Sequence, residues 1–300
     1  MKAPLKILLF GKGGQVGWEL QRSLSIIGEL VALDFDSQDH CGDFTNLQGL
    51  ANTVRDTQPD VIVNAAAHTA VDKAESEPEL ARAINALAPG VLAEAAQRIG
   101  ATLVHYSTDY VFDGSGTHAW LETDSANPLS VYGKTKLEGE QLVAANCAKH
   151  LIFRTSWVYA AKGGNFAKTM LRLAKEREAL TVINDQIGAP TGAELLADVT
   201  AHAIRSVQLN PENAGLYHLV AGGETSWHGY AQFVIDHAHR SGMELKTSPD
   251  AIAPVPSSAF TTAATRPLNS RLNTSKLQST FNLTLPDWQQ GVARMLTETI

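Results

Sequence analysis

Leu5-Lys6-Ile7-Leu8-Leu9-Phe10-Gly11-Lys12-Gly13-Gly14-Gln15-Val16-Gly17 is a short apolar run that breaks directly into a glycine-rich loop. Leu5–Phe10 has the length and composition of a strand, and the stretch from Gln15 to Ile27 has the pattern of a helix. Gly11, Gly14 and Gly17 are spaced GxxGxxG across the junction. Three physical needs are met by glycine there: a tight turn, close approach of backbone to a pyrophosphate, and close packing of helix on strand. The helix N-terminus adds unpaired N–H donors and a partial positive charge. Any strand-to-helix turn can use glycine, so the placement carries the reading: a first strand before it and a helix after it point to a dinucleotide. Gly11, Lys12, Gly14, Gln15, Val16 and Gly17 are the expected cradle.

Moving outward, Leu30–Asp34 reads as a second strand, and Asp34 lies 23 residues after Gly11 with Asp36 close by. An aspartate there suits the adenine ribose hydroxyls and favours NADH by repelling a 2′-phosphate. The alternative is an ordinary strand-end turn. Lys12 could offset the repulsion, so both NADH and NADPH remain open. Asp43 and Phe44 flank the adenine by position. The alternation continues through a helix at 46–57, a buried-type run at 60–64, helices at 72–87 and 89–99, a strand at 101–107, a helix at 131–146 and a strand at 151–156. That is the mark of an α/β chain with a Rossmann-type, doubly wound parallel sheet.

The second half is less regular. Helices are expected at 165–177, 194–207, 227–241 and 287–299, with a short strand at 180–183 and turn-rich stretches at 208–215 and 248–258. The expected division is a dinucleotide-binding domain over 1–156 with a returning segment at about 178–208. A smaller C-terminal α/β substrate domain takes 157–177 and 209–300.

Composition narrows the class of partner. With 24 basic and 31 acidic residues the chain carries a formal charge of −7, which opposes a broad nucleic-acid footprint or attraction to an anionic membrane. Cys41 and Cys147 form no Cys-x-x-Cys pair and suit free thiols in a reducing cytoplasm. The basic start, Met1 to Lys6, is followed by only Ile7–Phe10 before Gly11, too short for a signal core or a membrane span.

Tyr132-Gly133-Lys134-Thr135-Lys136 places a phenol and an ammonium four residues apart on a helix face. A free phenol has a pKa of about 10, and a neighbouring ammonium is expected to lower it. Alone, the pair would be two residues on an amphipathic helix. Upstream, however, Ser107-Thr108-Asp109-Tyr110 ends a parallel strand, where side chains face the ligand crevice. Thr108 is placed to donate to an oxygen that gains negative charge.

With these residues together the chain resembles the extended short-chain dehydrogenase/reductase family over essentially its whole length. The carriers are the Gly11/Gly14/Gly17 loop, Asn64-Ala65-Ala66-Ala67, Ser107 to Gly114, and Tyr132-x-x-x-Lys136. The resemblance implies Thr108 in the Ser/Thr role, Tyr132 as proton donor and Lys136 as its partner and a nicotinamide-ribose ligand. It also implies that Ala65, Ala66, Ala67, Thr69 and Tyr106 line the cofactor, with Asp109 at the substrate. Dehydratases of that family carry Thr-Asp-Glu where this chain has Thr108-Asp109-Tyr110, so the base for elimination is missing and plain reduction is implied.

A narrower resemblance is to the members that reduce the C4 ketone of a dTDP-linked sugar. It rests on His68 to Glu75, Arg154 to Tyr159, Gly164-Asn165-Phe166, Asp185 to Thr191 and Arg266 to Ser270. It implies a dTDP-sugar substrate, with Trp157, Asn165 and Phe166 at the sugar and Arg266 on the diphosphate. From the residues alone, Trp157 and Phe166 are equally readable as core and Arg266 as an ion-paired surface arginine. The resemblance is compatible with a homodimer and with Mg2+ held between carboxylates, Glu194 and Glu298 being the partners to hand. A non-catalytic regulatory subunit and a nucleotide-sugar epimerase are the rival readings on the same fold.

Overall fold

The computed structural model describes residues 4–299, so Met1–Ala3 of the basic start and Ile300 lie outside it. Five strands, β1 (Leu5–Phe10), β2 (Gly28–Leu33), β3 (Val61–Asn64), β4 (Thr102–Thr108) and β5 (His150–Thr155), join Gly215–His218 in one sheet. Across it the order is Gly215–His218, β5, β4, β3, β1, β2, and every pairing is parallel. The continuous apolar run of β1 follows from cover on both faces. Its alternate side chains enter opposite cores. Ile7 and Leu9 pack with Leu20 and Leu24 of helix α1 (Gln15–Ser25), and Leu8 and Phe10 with Leu50 and Val54 of α2 (Leu47–Thr57). The chain leaves β1 toward β2 on one side and returns through β3 on the other. The crevice beyond the carboxyl ends of β1 and β3 is therefore the topological switch point.

After β3 the chain departs from the expected pair of helices. Short helices α3 (Val71–Ser76) and α4 (Pro78–Arg82) are followed by a π-helical turn, Ala83–Leu87, that runs without a break into α5 (Ala88–Ile99). Pro89 has no N–H to give the carbonyl four residues back, so a regular α-turn cannot continue through it; the wider turn absorbs it. The Asn85 side chain in that turn clamps the His68 backbone, accepting from its N–H at 2.8 Å and donating to its carbonyl at 3.1 Å. Helix α6 (Val131–Asn146) has the bounds expected of it.

A second core lies among α7 (Phe166–Glu176), part of α8 (Ala193–Leu209), α9 (Trp227–Arg240) and, past α10 (Ser275–Phe281), α11 (Trp288–Thr299). Met170, Tyr230, Val234, Val292 and Leu296 meet there with Leu180, Val182 and Ile252 from two paired strands, Leu180–Ile183 and Ile252–Val255. Three segments sit across the expected division. Gly215–His218 is hydrogen-bonded to β5, although 209 onward was expected in the substrate half. Leu277 and Phe281 of α10 also reach the first core. Leu180–Ile183 joins the second core, and only α8 of the returning segment packs back on α1. No helix among the described residues is long and apolar enough to cross a membrane.

Candidate active site

Gly11 has φ +84°, and a Cβ there would stand 2.7 Å from the Ala66 nitrogen. A Cβ on Gly17 would collide with the Gly11 carbonyl, so loop and helix can meet only with glycine at both places. Gly14 caps α1 with extended backbone and no side-chain hydrogen bond, leaving the first-turn N–H groups open to an anion. Gly14, Gln15 and Val16 form one wall of a cavity of about 440 Å³, with Ala65, Ala67, Thr69 and Tyr106 beside them. Among the buried atoms lacking a partner, Gln15 Oε1, Ser107 Oγ and Thr155 Oγ1 belong to residues lining this cavity. A glycine cradle, free helix N–H groups and unpartnered polar atoms fit a dinucleotide. Asp34 holds the loop, one carboxylate oxygen accepting from the Gly13 N–H at 2.9 Å and the other from Phe35 N–H at 3.1 Å.

The same cavity is also lined by Thr108, Asp109, Tyr132 and Lys136. Ser130 caps α6 by accepting from the Gly133 N–H at 3.2 Å, and Glu75 accepts from the Val131 N–H at 2.8 Å. Tyr132 is thus set on a helix start pinned from two sides. The Tyr110 ring meets the Tyr132 ring edge-on at 5.5 Å. Thr108 Oγ1 donates to Asp109 Oδ1 at 3.1 Å and accepts from the Tyr110 N–H at 3.2 Å.

The charges differ from the expectation that Lys136 lowers the Tyr132 pKa. Burial pushes the phenol up to about 12, and the opposing influence is the Thr108 hydroxyl. The Lys136 ammonium is engaged elsewhere, donating to the Tyr106 carbonyl at 2.6 Å with His105 Nε2 at 3.4 Å. Burial brings Lys136 itself down to about 8, against the pull of Glu140. Asp109 is pushed by burial up to about 6, opposed by the nearby Ser270 and Thr108 hydroxyls; Thr108 donates to Oδ1, while Oδ2 is buried without a partner.

Tyr110 and Trp227 also line a second cavity of about 1010 Å³, so the two adjoin there. Phe166, Leu129, Leu268 and the hydroxyl-rich stretch 257–265 line it, with Arg266 at one side. Trp157 lines the smaller cavity and stacks on Trp227 at 3.7 Å; Phe166 lies 4.6 Å from the same ring. Arg266 is at once a lining residue and ion-paired, its guanidinium spanning both Asp72 oxygens at 2.6 and 3.1 Å.

Other expected site residues are spent on the fold. Asn165 caps α7 by accepting from the Lys168 N–H at 3.1 Å and donates to the Ala160 carbonyl at 2.7 Å, so its side chain lines neither cavity. The Phe44 ring is buried against Phe10, leaving only backbone for an adenine, and Asp43 accepts from Thr45. Ala66 gives its N–H to Asn64, and Lys12 lines neither cavity. Glu194 and Glu298 both face Arg294, at 3.4 and 3.6 Å. Among the described residues no three His, Cys, Asp or Glu gather closely enough to hold a metal ion, so Mg2+ does not fit this chain by itself. Sequence reading missed Trp227. Thr225-Ser226-Trp227 signals a helix start, but nothing local tells which helix end faces the cleft.

An all-parallel sheet with a glycine turn at its switch point and a Tyr-x-x-x-Lys helix beside it defines the class: an oxidoreductase on a Rossmann-type frame. The RmlD substrate binding domain family matches residues 5–300, and the chain belongs to that family. It is 65% identical over 294 residues to the dTDP-4-dehydrorhamnose reductase of Salmonella typhimurium, and 63% identical over 294 residues to that of Escherichia coli K12, covering 98% of each chain in both cases. Among solved structures, the dTDP-4-dehydrorhamnose reductase of Clostridium acetobutylicum matches with TM-score 0.88 at 36% identity, over 98% of this chain and 99% of that one. The Bacillus anthracis enzyme in complex with NADP matches with TM-score 0.88 at 34% identity, over 99% and 100%.

Proposed function

We propose that this chain uses NADPH or NADH to reduce the C4 ketone of dTDP-4-dehydro-β-L-rhamnose to dTDP-L-rhamnose. The observation that carries the reaction type is one cavity lined both by Gly14–Val16 and by Thr108, Tyr132 and Lys136, adjoining a larger one at Tyr110 and Trp227. The sugar nucleotide is drawn from the relatives. In this reading the first core holds the cofactor half and the second core the substrate half, the latter supplying Phe166, Trp227 and Arg266.

The reduced nicotinamide, when bound, supplies the hydride delivered to the carbonyl carbon. Tyr132 gives its hydroxyl proton to the carbonyl oxygen as charge collects there. With its pKa near 12 the phenol is fully protonated at neutral pH, the state a donor needs, and an alkoxide is a stronger base still. Thr108 turns its hydroxyl from Asp109 toward the same oxygen and stabilises the developing charge. Arg266, whose fork is matched to Asp72 in the free protein, transfers it to the diphosphate. Trp157, Trp227 and Phe166 give apolar faces to the sugar and exclude water.

The test is to follow NADH and NADPH absorbance with enzymatically made dTDP-4-dehydrorhamnose. Oxidation stoichiometric with the sugar is expected, and no turnover with either cofactor refutes the proposal. Release of tightly held NAD on denaturation, without net oxidation, would mark an epimerase instead. Asp34→Asn should shift use toward NADPH, and Lys12→Gln toward NADH.

A further inference from the structure

Behind Lys136 lies a polar chain that the reaction described above does not use. Asn64 ends β3 and His105 stands beside it on β4; the two are paired in the sheet register and are about 1% exposed. Asn64 Oδ1 accepts from the Ala66 N–H at 3.0 Å. That bond fixes the amide, because flipping it would set an NH2 against an N–H. The Asn64 Nδ2 group therefore points at His105 Nδ1, 3.0 Å away, and donates to it. A ring nitrogen that accepts carries no proton, so a neutral His105 must carry its proton on Nε2. Burial and the neighbouring Lys136 both keep the ring neutral. Nε2–H faces Lys136 Nζ at 3.4 Å.

We propose that His105, held in its Nε2–H tautomer by Asn64, is a positioning residue that sets the proton occupancy of Lys136. When Lys136 is an ammonium, two donors face each other; when it is an amine, its lone pair accepts from Nε2–H. The arrangement thus favours the amine, while the Tyr106 carbonyl at 2.6 Å takes a lysine proton in either state. The lowered Lys136 pKa has the same direction. The other titratable groups around Lys136 are Tyr132 and Glu140 on its own helix, Asp109 beyond the end of β4, and Arg154 on β5. Arg154 is closed on Glu140 by hydrogen bonds of 2.7–3.2 Å, which mutes the anion whose pull opposes the lowering of Lys136. Burial brings the lysine's ionisation into the working pH range, and the facing Nε2–H of His105 adds to it in the same direction, so that Lys136 can lose and regain a proton beside Tyr132. This inference concerns the protein without cofactor and does not depend on the sugar.

The test uses the cofactor-free full chain. Long-range proton–nitrogen NMR of histidine-labelled protein, with His105 assigned by its loss in His105→Phe, should show a neutral ring protonated on Nε2 from about pH 6 to 9. A proton on Nδ1 in the wild type overturns the proposal without any variant. In lysine-labelled protein the Lys136 Cε signal should titrate below those of the other lysines. Asn64→Asp replaces the amide donor with an acceptor and moves the ring proton to Nδ1, so the Lys136 midpoint should rise by about one pH unit, tenfold in its protonation constant. The introduced charge also acts through space, so the same change is made in the His105→Phe background. Most of the rise should vanish there; a rise of equal size without the imidazole overturns the proposal. These readouts stand whether or not the sugar substrate is the one proposed.

Discussion

On the side of the cleft proposed for the dinucleotide, the lining comes from the carboxyl ends of parallel strands and the loops that follow them. Gly11–Val16 follow β1, Asp34 follows β2, Ala65–Thr69 follow β3, and Tyr106–Asp109 end β4 and begin the next turn. On the side proposed for the sugar, Phe166 starts α7, Trp227 starts α9, and Arg266 and Leu268 sit in a long connection before α10. The first wall is backbone-made and contiguous with strong local patterns. The second is assembled from side chains some 40 to 60 residues apart and fastened by pairs such as Trp157–Trp227 and Asp72–Arg266. A wall of backbone tolerates no side chain where glycine is needed. A wall of side chains can lose one member and keep its shape.

The largest effect is expected on the glycine wall. Gly17→Val drives a side chain into the Gly11 carbonyl, an overpacking cost of about 1–3 kcal/mol or more, and should abolish NADPH binding by fluorescence titration while lowering Tm. If the variant binds normally, the loop is not the rigid cradle described. On the sugar wall, Arg266→Met should raise KM for the nucleotide sugar by about tenfold to a hundredfold and leave kcat nearly intact, the signature of uniform binding. A fall in kcat with unchanged KM would place Arg266 in the chemistry or the fold.

Asp109, on the first wall, gives a smaller and pH-dependent effect. Its carboxyl titrates at about 6 in the fold, above its ordinary value of 3.8, because burial disfavours the charge. The folded state therefore binds this proton more tightly than the unfolded chain. The associated stability is fully present below the unfolded value and is lost as pH rises through about 6. Asp109→Asn should be more stable than wild type at about pH 8, by on the order of 2 kcal/mol, with the difference shrinking toward pH 4. Denaturant unfolding at the two pH values checks it, and an equal difference at both would remove the burial account.

The same contrast explains what could be read from sequence. β1, its glycine loop and the Tyr132/Lys136 helix were legible because each is a local pattern with a local physical reason. Gly215–His218 was not: four residues after a turn carry too little periodicity, and only pairing with β5 makes them a strand. The unbroken helical run through Pro89 reads from sequence as two helices, because the π-helical turn that carries it past the proline has no signal of its own. Asn165 and Phe44 were named for the site by resemblance and position, yet a helix cap and a core ring use them up. Trp227 was invisible because its role depends on where α9 is docked. The Tyr132 pKa went the other way from expectation, since spacing brings Lys136 to the same face but cannot show that its ammonium is held by the Tyr106 carbonyl.

In the proposed reaction Tyr132 protonates the reduced C4 oxygen, from a site that binds the cofactor independently of it. Single-turnover oxidation of pre-bound NADPH by dTDP-4-dehydrorhamnose, in wild type and Tyr132→Phe, tests this directly when paired with a Kd for NADPH. The rate should be lower by about 10²–10⁴-fold in the variant with the Kd unchanged. Undiminished hydride transfer in Tyr132→Phe would contradict it.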